Sequence, residues 1–455
     1  PAYLIGSIRN LYPKLEIENS YCYPENPEAG IDLFLEKLVQ ETEKEHEDIL
    51  EQADETDAVF GELYSWYLRN PEYRSRVQKL VQSAFAGKPK DIISQSVAKA
   101  LYGEVSPYSA TRLERFAACA FAHFLQYGMK LTERVEYEFK PMDMGNVMHE
   151  ALESFAEEVR KRGMKWTELT EQERNEIADR CLDNIVADYG NTVLKSSARN
   201  EYMIERTRRI LRRTVWALQK QLEQGEFQPE GFEVTFGGGR IDRVDIMEDQ
   251  NKVYVKVIDY KTGNTSFDLV YLYHGLQLQL MIYLDGALRV EQKKYPDKEI
   301  IPAGVFYYNI KDPMIQEKID ADVEAVSAGL MKELKMNGLV QADPELVYRM
   351  DSSLGSIPVA FNKDGSFRKN SSVADRTQFA VLGRYVRTKI EKIRSSILEG
   401  DAEVSPYELG KKNACTYCPY MTVCGFDRRL SGYEFRRLKN FSDEELWKAF
   451  DREAE

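Results

Sequence analysis

No stretch of this sequence approaches the roughly 20 consecutive apolar residues that cross a bilayer. The opening "PAYLIGSIRN" lacks both the charged and the apolar region of a secretory leader. A membrane span and a signal peptide are therefore not expected, and the cytoplasm is the expected compartment. No G-x4-G-K-[ST] phosphate loop occurs, which excludes a nucleotide motor of that kind. Histidine is scarce, at 4 of 455 residues, so each one has to be accounted for. Basic residues are outnumbered, 62 against 75 acidic, leaving a net charge of -13. That balance argues against coating nucleic acid by bulk attraction and leaves room only for a local basic face. Six cysteines are spread over a cytosol-like chain, where structural disulfides are not expected, but three are tightly spaced, the pattern of metal ligation.

The length is two to three times that of a usual domain, so more than one folded unit is expected. Pro1 instead of Met opens the chain, which points to a piece of a longer polypeptide. Residues 1–105 carry helical spacing in "IDLFLEKLVQETEKEHEDILEQ" and "RSRVQKLVQSAFAG" and read as a helical segment. A second unit, residues 106–430, starts with a helix capped by Ser109. Its next helix follows "KPMDMGN", with Asp143 or Asn146 as cap. From Phe232 the period switches to that of strands: "FEVTFGGGRIDRVDI", the turn "EDQN", then "KVYVKVIDYKTG" predict a β-hairpin meander. A helix over 269–289, a strand at "IPAGVFYYNI", a hairpin at "KDG" and a helix over 374–398 follow. Residues 431–455 read as a helical tail. The fold class is α/β: a central mixed sheet flanked by helices, with a cysteine loop near its end.

A strand that ends on Asp259 and Lys261 raises a chemical question. Alternation points both side chains to one face, and the neighbouring strand can bring Asp242 to the same end of the sheet. Two such carboxylates repel unless a cation sits between them, and Mg2+ favours oxygen ligands. Lys261 then lies where it can orient a water or offset charge on a phosphate. His149, on a helix face shared with Glu153, can complete a carboxylate site, above all one accepting Mn2+. Asp245 has the opposite parity and is expected outward or paired to Arg243 or Arg240. Gln279 and Tyr283 lie one helical turn apart, either as a polar stripe of a core helix or as contacts to a phosphate or water; Gln277 is on another face.

Cys415, Cys418 and Cys424 form C-x2-C-x5-C, and Cys119 is the expected fourth ligand, closing the domain on itself. Tetrahedral zinc and a [4Fe-4S] cluster both suit four thiolates. Cys22 and Cys181 read as incidental. Arg206, Arg208, Arg209, Arg212 and Arg213 on one helix read as a solvated face or, for Arg206, Arg209 and Arg213 in particular, as contacts to a DNA strand.

The segments "YSATRLERFAACAFAHFL", "DMGNVMHEALE", "GRIDRVD", "VIDYKTG", "LQLQLMIYL" and the terminal cysteine loop together resemble the C-terminal nuclease region of AddB-type subunits of bacterial helicase-nucleases, from about Ile92 to Asp427. The resemblance implies a RecB-like PD-(D/E)XK core and Mg2+ on His149, Asp242 and Asp259. It also implies Lys261 as catalytic lysine, and a [4Fe-4S] cluster on Cys119, Cys415, Cys418 and Cys424. It further implies a motor partner of the AddA type in a heterodimer, and cleavage of single-stranded DNA produced during double-strand-break repair and recombination. Ala120 stands where relatives commonly carry proline, so the helix is expected to continue past Cys119. Two rival readings are a stand-alone exonuclease similar to CRISPR adaptation nucleases and a catalytically silent scaffold that binds DNA and a partner.

Overall fold

The computed structural model describes residues 11–12, 26–43, 55–85, 92–103, 110–132, 141–188, 197–237, 239–315, 322–430 and 432–454. Ser109 and Cys22 lie outside them. The chain divides into one unit of residues 1–90 and 426–434 and a larger one of 91–425 and 435–455. In the first, helices α1 (Pro27–Glu43), α2 (Glu55–Arg69) and α3 (Pro71–Phe85) bury Ile31, Phe34, Leu38, Tyr67 and Val77. Tyr67 turns its hydroxyl onto the Pro27 carbonyl at 2.8 Å, so the buried ring leaves no orphaned donor.

The larger unit begins with α4 (Gln95–Tyr102), whose Ala98 and Tyr102 enter its core. Next come α5 (Ala110–Ala118) and α6 (Ala120–His123), which runs on into a π turn. The expected continuous helix through residue 119 does not form. Cys119 is extended (φ -165°, ψ 119°), and the amide of Phe121, free of the helix ladder, donates to the Glu403 carbonyl at 3.0 Å. Helices α7 (Pro141–Lys161), α8 (Glu171–Asp188) and α9 (Ala198–Glu223) form one layer. Pro141 starts α7 earlier than the capping pattern predicts, placing Asp143 in its first turn and Asn146 within it; proline suits a first helical position.

The sheet holds β1 (Gln228–Phe236), β2 (Gly239–Asp249), β3 (Lys252–Lys261), β4 (Glu299–Asn309), β5 (Asn337–Gln341) and β6 (Val373–Ala374), in that order. The first three are an antiparallel meander, and β3–β4 is a parallel pair. Between β3 and β4 run α10 (Leu269–Tyr273) and α11 (Gln279–Lys294). They are two helices where one was expected, because Gly275 takes φ +77°. Helix α12 (Val323–Glu333) precedes β5 and α13 (Pro344–Met350) follows it. The "KDG" turn closes on a Phe361–Phe367 bridge with Gly365 at φ +83°. Helix α14 (Arg376–Glu399) is held at its start by a capping box between Asp375 and Gln378.

Alternation divides β3 cleanly. Tyr254, Ile258 and Tyr260 pack with α7–α9, while Val253, Val255 and Val257 pack with α11, α14 and α15 (Asp443–Ala454). Helix α15 belongs to this core through Leu446, Ala449 and Phe450 and is not a separate tail. One charged set is sealed inside the α7–α9 side. Asp245 is fully buried, bound by Arg243 at 2.6 and 2.9 Å and by Lys256 at 3.0 Å. The guanidinium of Arg243 also lies 5.6 Å from the Trp166 ring centre and 5.7 Å from that of Phe232. Arg243 is thus the predicted partner of Asp245, but the pair points inward, and Arg240 binds elsewhere.

Candidate active site

Pairing of β2 with β3 ends at Arg243–Ile258, so the next residues out, Asp242 and Asp259, are cross-strand neighbours. Asp242 takes over where the ladder stops: its Oδ2 accepts the Tyr260 amide at 2.7 Å. His149 reaches down from α7, with Nδ1 3.3 Å from that same oxygen. The start of α7 lies close to the end of β3, where a Cβ on Gly145 would meet Thr262 at 3.4 Å. Asp259 is 1% exposed, and its Oδ2 lies 2.6 Å from the Lys261 ammonium. Lys261 donates to Gln279 Oε1 at 2.9 Å, and Gln279 Nε2 donates to the Tyr283 hydroxyl at 2.9 Å. The predicted Asp242, Asp259, Lys261, Gln279, Tyr283 and His149 thus meet at one end of the sheet. Gln277 instead ties down the preceding loop through Asp268 and Ser266.

Two acids join them that sequence reasoning missed. Glu233 lies 3.9 Å from His149 Nδ1 and is ion-paired with Arg240. Among the described residues, His149, Glu233 and Asp242 are the group whose ligand atoms all lie within 4.8 Å of one another. Asp259 falls outside that group, its carboxylate turned to Lys261. Glu233 has φ +47°, beside an irregularity in β1 between Pro229 and Gly231, and no pattern in the sequence announces a bulge there. The second acid, Glu114 of α5, accepts the amides of Leu278 and Gln279 at 2.7 and 2.9 Å. It closes the N-terminus of α11 and so fixes where Gln279 starts. Leu113 and Ala117 beside it on α5 are buried.

Electrostatically the site is short of a cation. Burial pushes the Asp259 carboxyl up to about 7, reinforced by Asp242 and offset by Lys261. Burial opposes a charge on His149, yet bonds to Asp242 and Glu233 win and pull it up to about 10. A buried carboxyl that resists ionising near an imidazole that resists deprotonating is what a divalent ion would reverse. Burial also raises Glu114 from 4.5 to about 7, against the two amides that lower it. At pH below 4.5 the folded and unfolded states both hold that proton. Between 4.5 and about 7 the unfolded state has released it while the folded state still holds it, so stability falls across that window and the loss is complete above 7. Glu114→Gln keeps the acceptor and removes the charge. The metal-free variant is expected to be more stable than the parent by about 2–3 kcal/mol at pH 8, with no difference near pH 4, in urea titrations.

The four cysteines also converge. Cys119, Ala122, Leu125 and Tyr420 form a small buried cluster with Cys418 against it. Burial, then Cys119, Cys418 and Cys424, push the Cys415 thiol up to about 11. Such mutual repulsion is relieved by a bound cation, so the donor set fits a metal group. Cys181 lies apart, in the core under α7 and α8. Three of the five α9 arginines are engaged: Arg208 with Asp183 at 2.6 Å, Arg209 with Asp312 at 2.6 Å, and Arg212 with Asp179. Arg206 and Arg213 make no ion pair with a described residue.

A meander with acids crossing two strands, a lysine on the same face and a glutamine on the following helix is the arrangement of a nuclease core. The sequence pattern of the PD-(D/E)XK nuclease superfamily matches residues 107–425, and the chain belongs to that superfamily. Within it the chain is a relative of AddB, one subunit of the ATP-dependent helicase/deoxyribonuclease. It is 39% identical to that protein of Lachnoclostridium phytofermentans, over 100% of the chain and 40% of the relative. It is 34% identical to the corresponding protein of Thermoanaerobacter sp. (strain X514), over 88% of the chain and 37% of the relative. In Clostridium acetobutylicum the identity is 31%, over 100% and 41%. The chain therefore spans about 40% of the length of these relatives.

Proposed function

We propose that the chain hydrolyses phosphodiester bonds of single-stranded DNA as the nuclease part of a helicase-nuclease acting in double-strand-break repair and recombination. The observation that carries this reading is the desolvated Asp242–Asp259 pair with Lys261 on its face. Bound Mg2+ or Mn2+ would polarise the phosphate and lower the pKa of a water. His149, Asp242 and Asp259 are the residues we assign to hold it, with Glu233 in reach of the first two. Lys261, freed from Asp259, orients the attacking water or offsets charge on the phosphate. Gln279 holds that ammonium, and Tyr283 holds Gln279.

Four thiols suit either zinc or a [4Fe-4S] cluster, and we assign the cluster on the resemblance of the cysteine loop to that of AddB-type subunits. A protein that carries zinc without iron would refute the assignment. A motor subunit of the AddA type is the proposed partner, and the cytoplasm the proposed compartment. Among the described residues, no helix is long and apolar enough to cross a membrane. The test is cleavage of an end-labelled single strand by the chain with and without the motor subunit. Activity that requires Mg2+ and stops in EDTA is expected, and none under any of these conditions would overturn the proposal.

A further inference from the structure

On the α7–α9 side, a groove of about 980 Å³ runs along α9, between the start of α8 and α12. Its wall is a single helix stripe, Tyr202, Arg206, Arg209, Arg213 and Trp216, at spacings of four and three residues. At 1.5 Å per residue the stripe is about 21 Å long. Aromatic rings stand at its two ends and guanidinium groups between them; the Arg213 group lies 5.5 Å from the Trp216 ring centre. Apolar Leu169 and Leu330 also line the groove, as do three acids, Glu171, Glu205 and Glu223, of which Glu205 faces Arg208 and Glu223 faces Lys220.

The second observation is Arg174, which lines the same groove and is only 7% exposed. Its Nη1 donates to Gln219 Oε1 at 2.5 Å, and Gln219 is itself locked by donating to the Leu169 carbonyl at 2.8 Å. Its Nε has no partner, and it makes no ion pair with any described residue. Burial pulls its pKa below the ordinary arginine value, with Glu171 and Glu223 only partly restoring it. With its Nε unpartnered and no ion pair to either acid, this buried guanidinium has room for an anionic oxygen. One guanidinium on an enclosed floor, others along a wall, and rings beside them suit a phosphate backbone with stacked bases. A carboxylate-bearing peptide would meet the cations but leave the rings without planar partners.

We propose that this groove binds single-stranded nucleic acid, with a phosphate on Arg174, further phosphates on Arg206 and Arg213, and bases on Trp216 and Tyr202. The choice of polyanion rests on the nuclease reading, but binding here needs neither metal nor cleavage. The experiment is anisotropy of a fluorescent oligo-dT with the whole chain in EDTA, across a salt series. Arg206→Ala/Arg213→Ala, at an exposed and a half-buried side chain with no ion pair to a described residue, should weaken binding at least tenfold. The slope of log K against log salt should become shallower by about 1.4, the value for two lost contacts on a single strand. Arg174→Met should weaken it further with thermal stability close to the parent's, the loss of a buried charge offsetting the Gln219 Oε1 left without its donor. Unchanged affinity and slope in the double variant would overturn the proposal, as would displacement of the probe by polyglutamate as readily as by unlabelled oligo-dT. Asp259→Ala separates the two readings. If it abolishes cleavage while the groove variants bind as the parent does, the groove fails alone; a parent that binds through these arginines and never cleaves leaves the groove standing.

Discussion

Asp259→Ala is expected to lower Mg2+-dependent cleavage of single-stranded DNA by at least about a thousandfold, or about 4 kcal/mol of transition-state stabilisation. Asp259 is 1% exposed, and its carboxylate faces Lys261 at 2.6 Å. Removing it deprives the ion of a charged ligand and leaves the ammonium nothing to release. Substrate binding should survive, so the loss should fall on kcat rather than KM. A fold defect is not expected, because in the metal-free protein burial and Asp242 already push this carboxyl up to about 7. The variant should unfold at an equal or higher temperature than the parent without Mg2+ and should lose the stabilisation that Mg2+ gives the parent. Equal cleavage by the two proteins would refute the role of Asp259.

The largest loss of stability is expected from Asp245→Asn. Asp245 is fully buried between Arg243, 2% exposed, and Lys256, 5% exposed. Neutralising it leaves two cations in the core with no counter-charge, at a cost of at least about 3–5 kcal/mol, a large part of the stability of most domains. Burial raises the Asp245 carboxyl, but Arg243 and Lys256 outweigh it and hold it below the usual range. Its contribution is therefore complete above the ordinary aspartate pKa and is lost as acid drives the pH down through the lowered value. Urea midpoints at pH 7 measure the effect. The triple variant Arg243→Met/Asp245→Leu/Lys256→Met should recover most of it, since no charge is stranded. A single variant within about 1 kcal/mol of the parent, on the ordinary scale of surface changes, would mean that water reaches this set.

Much of the site could be read before the fold, because strand parity and helix spacing are local rules. Asp259 and Lys261 share a face for that reason, and Asp242 follows once the turn "EDQN" sets the meander. Gln279 and Tyr283 needed only one helical turn. What stayed hidden depends on backbone that departs from regular elements, or on partners distant in sequence. Glu233 enters through a positive φ at an irregular strand, and the helix expected to run past Cys119, itself the expected fourth ligand, breaks at an extended residue inside an alanine-rich run. Asp245 was correctly set on the other face. Its burial was not legible, since a charge goes inside only when its partners do, and Lys256 comes from the next strand. Glu114 acts on amides far along the chain, which no local pattern encodes.

Helix α5 joins two chemistries that share no atom. Glu114 on it grips the first amides of α11, and the chain just past its last turn is Cys119. A short helix therefore connects the four cysteines to the amide that steadies Lys261. A disturbance of the thiols at one end has a covalent path to the ammonium at the other.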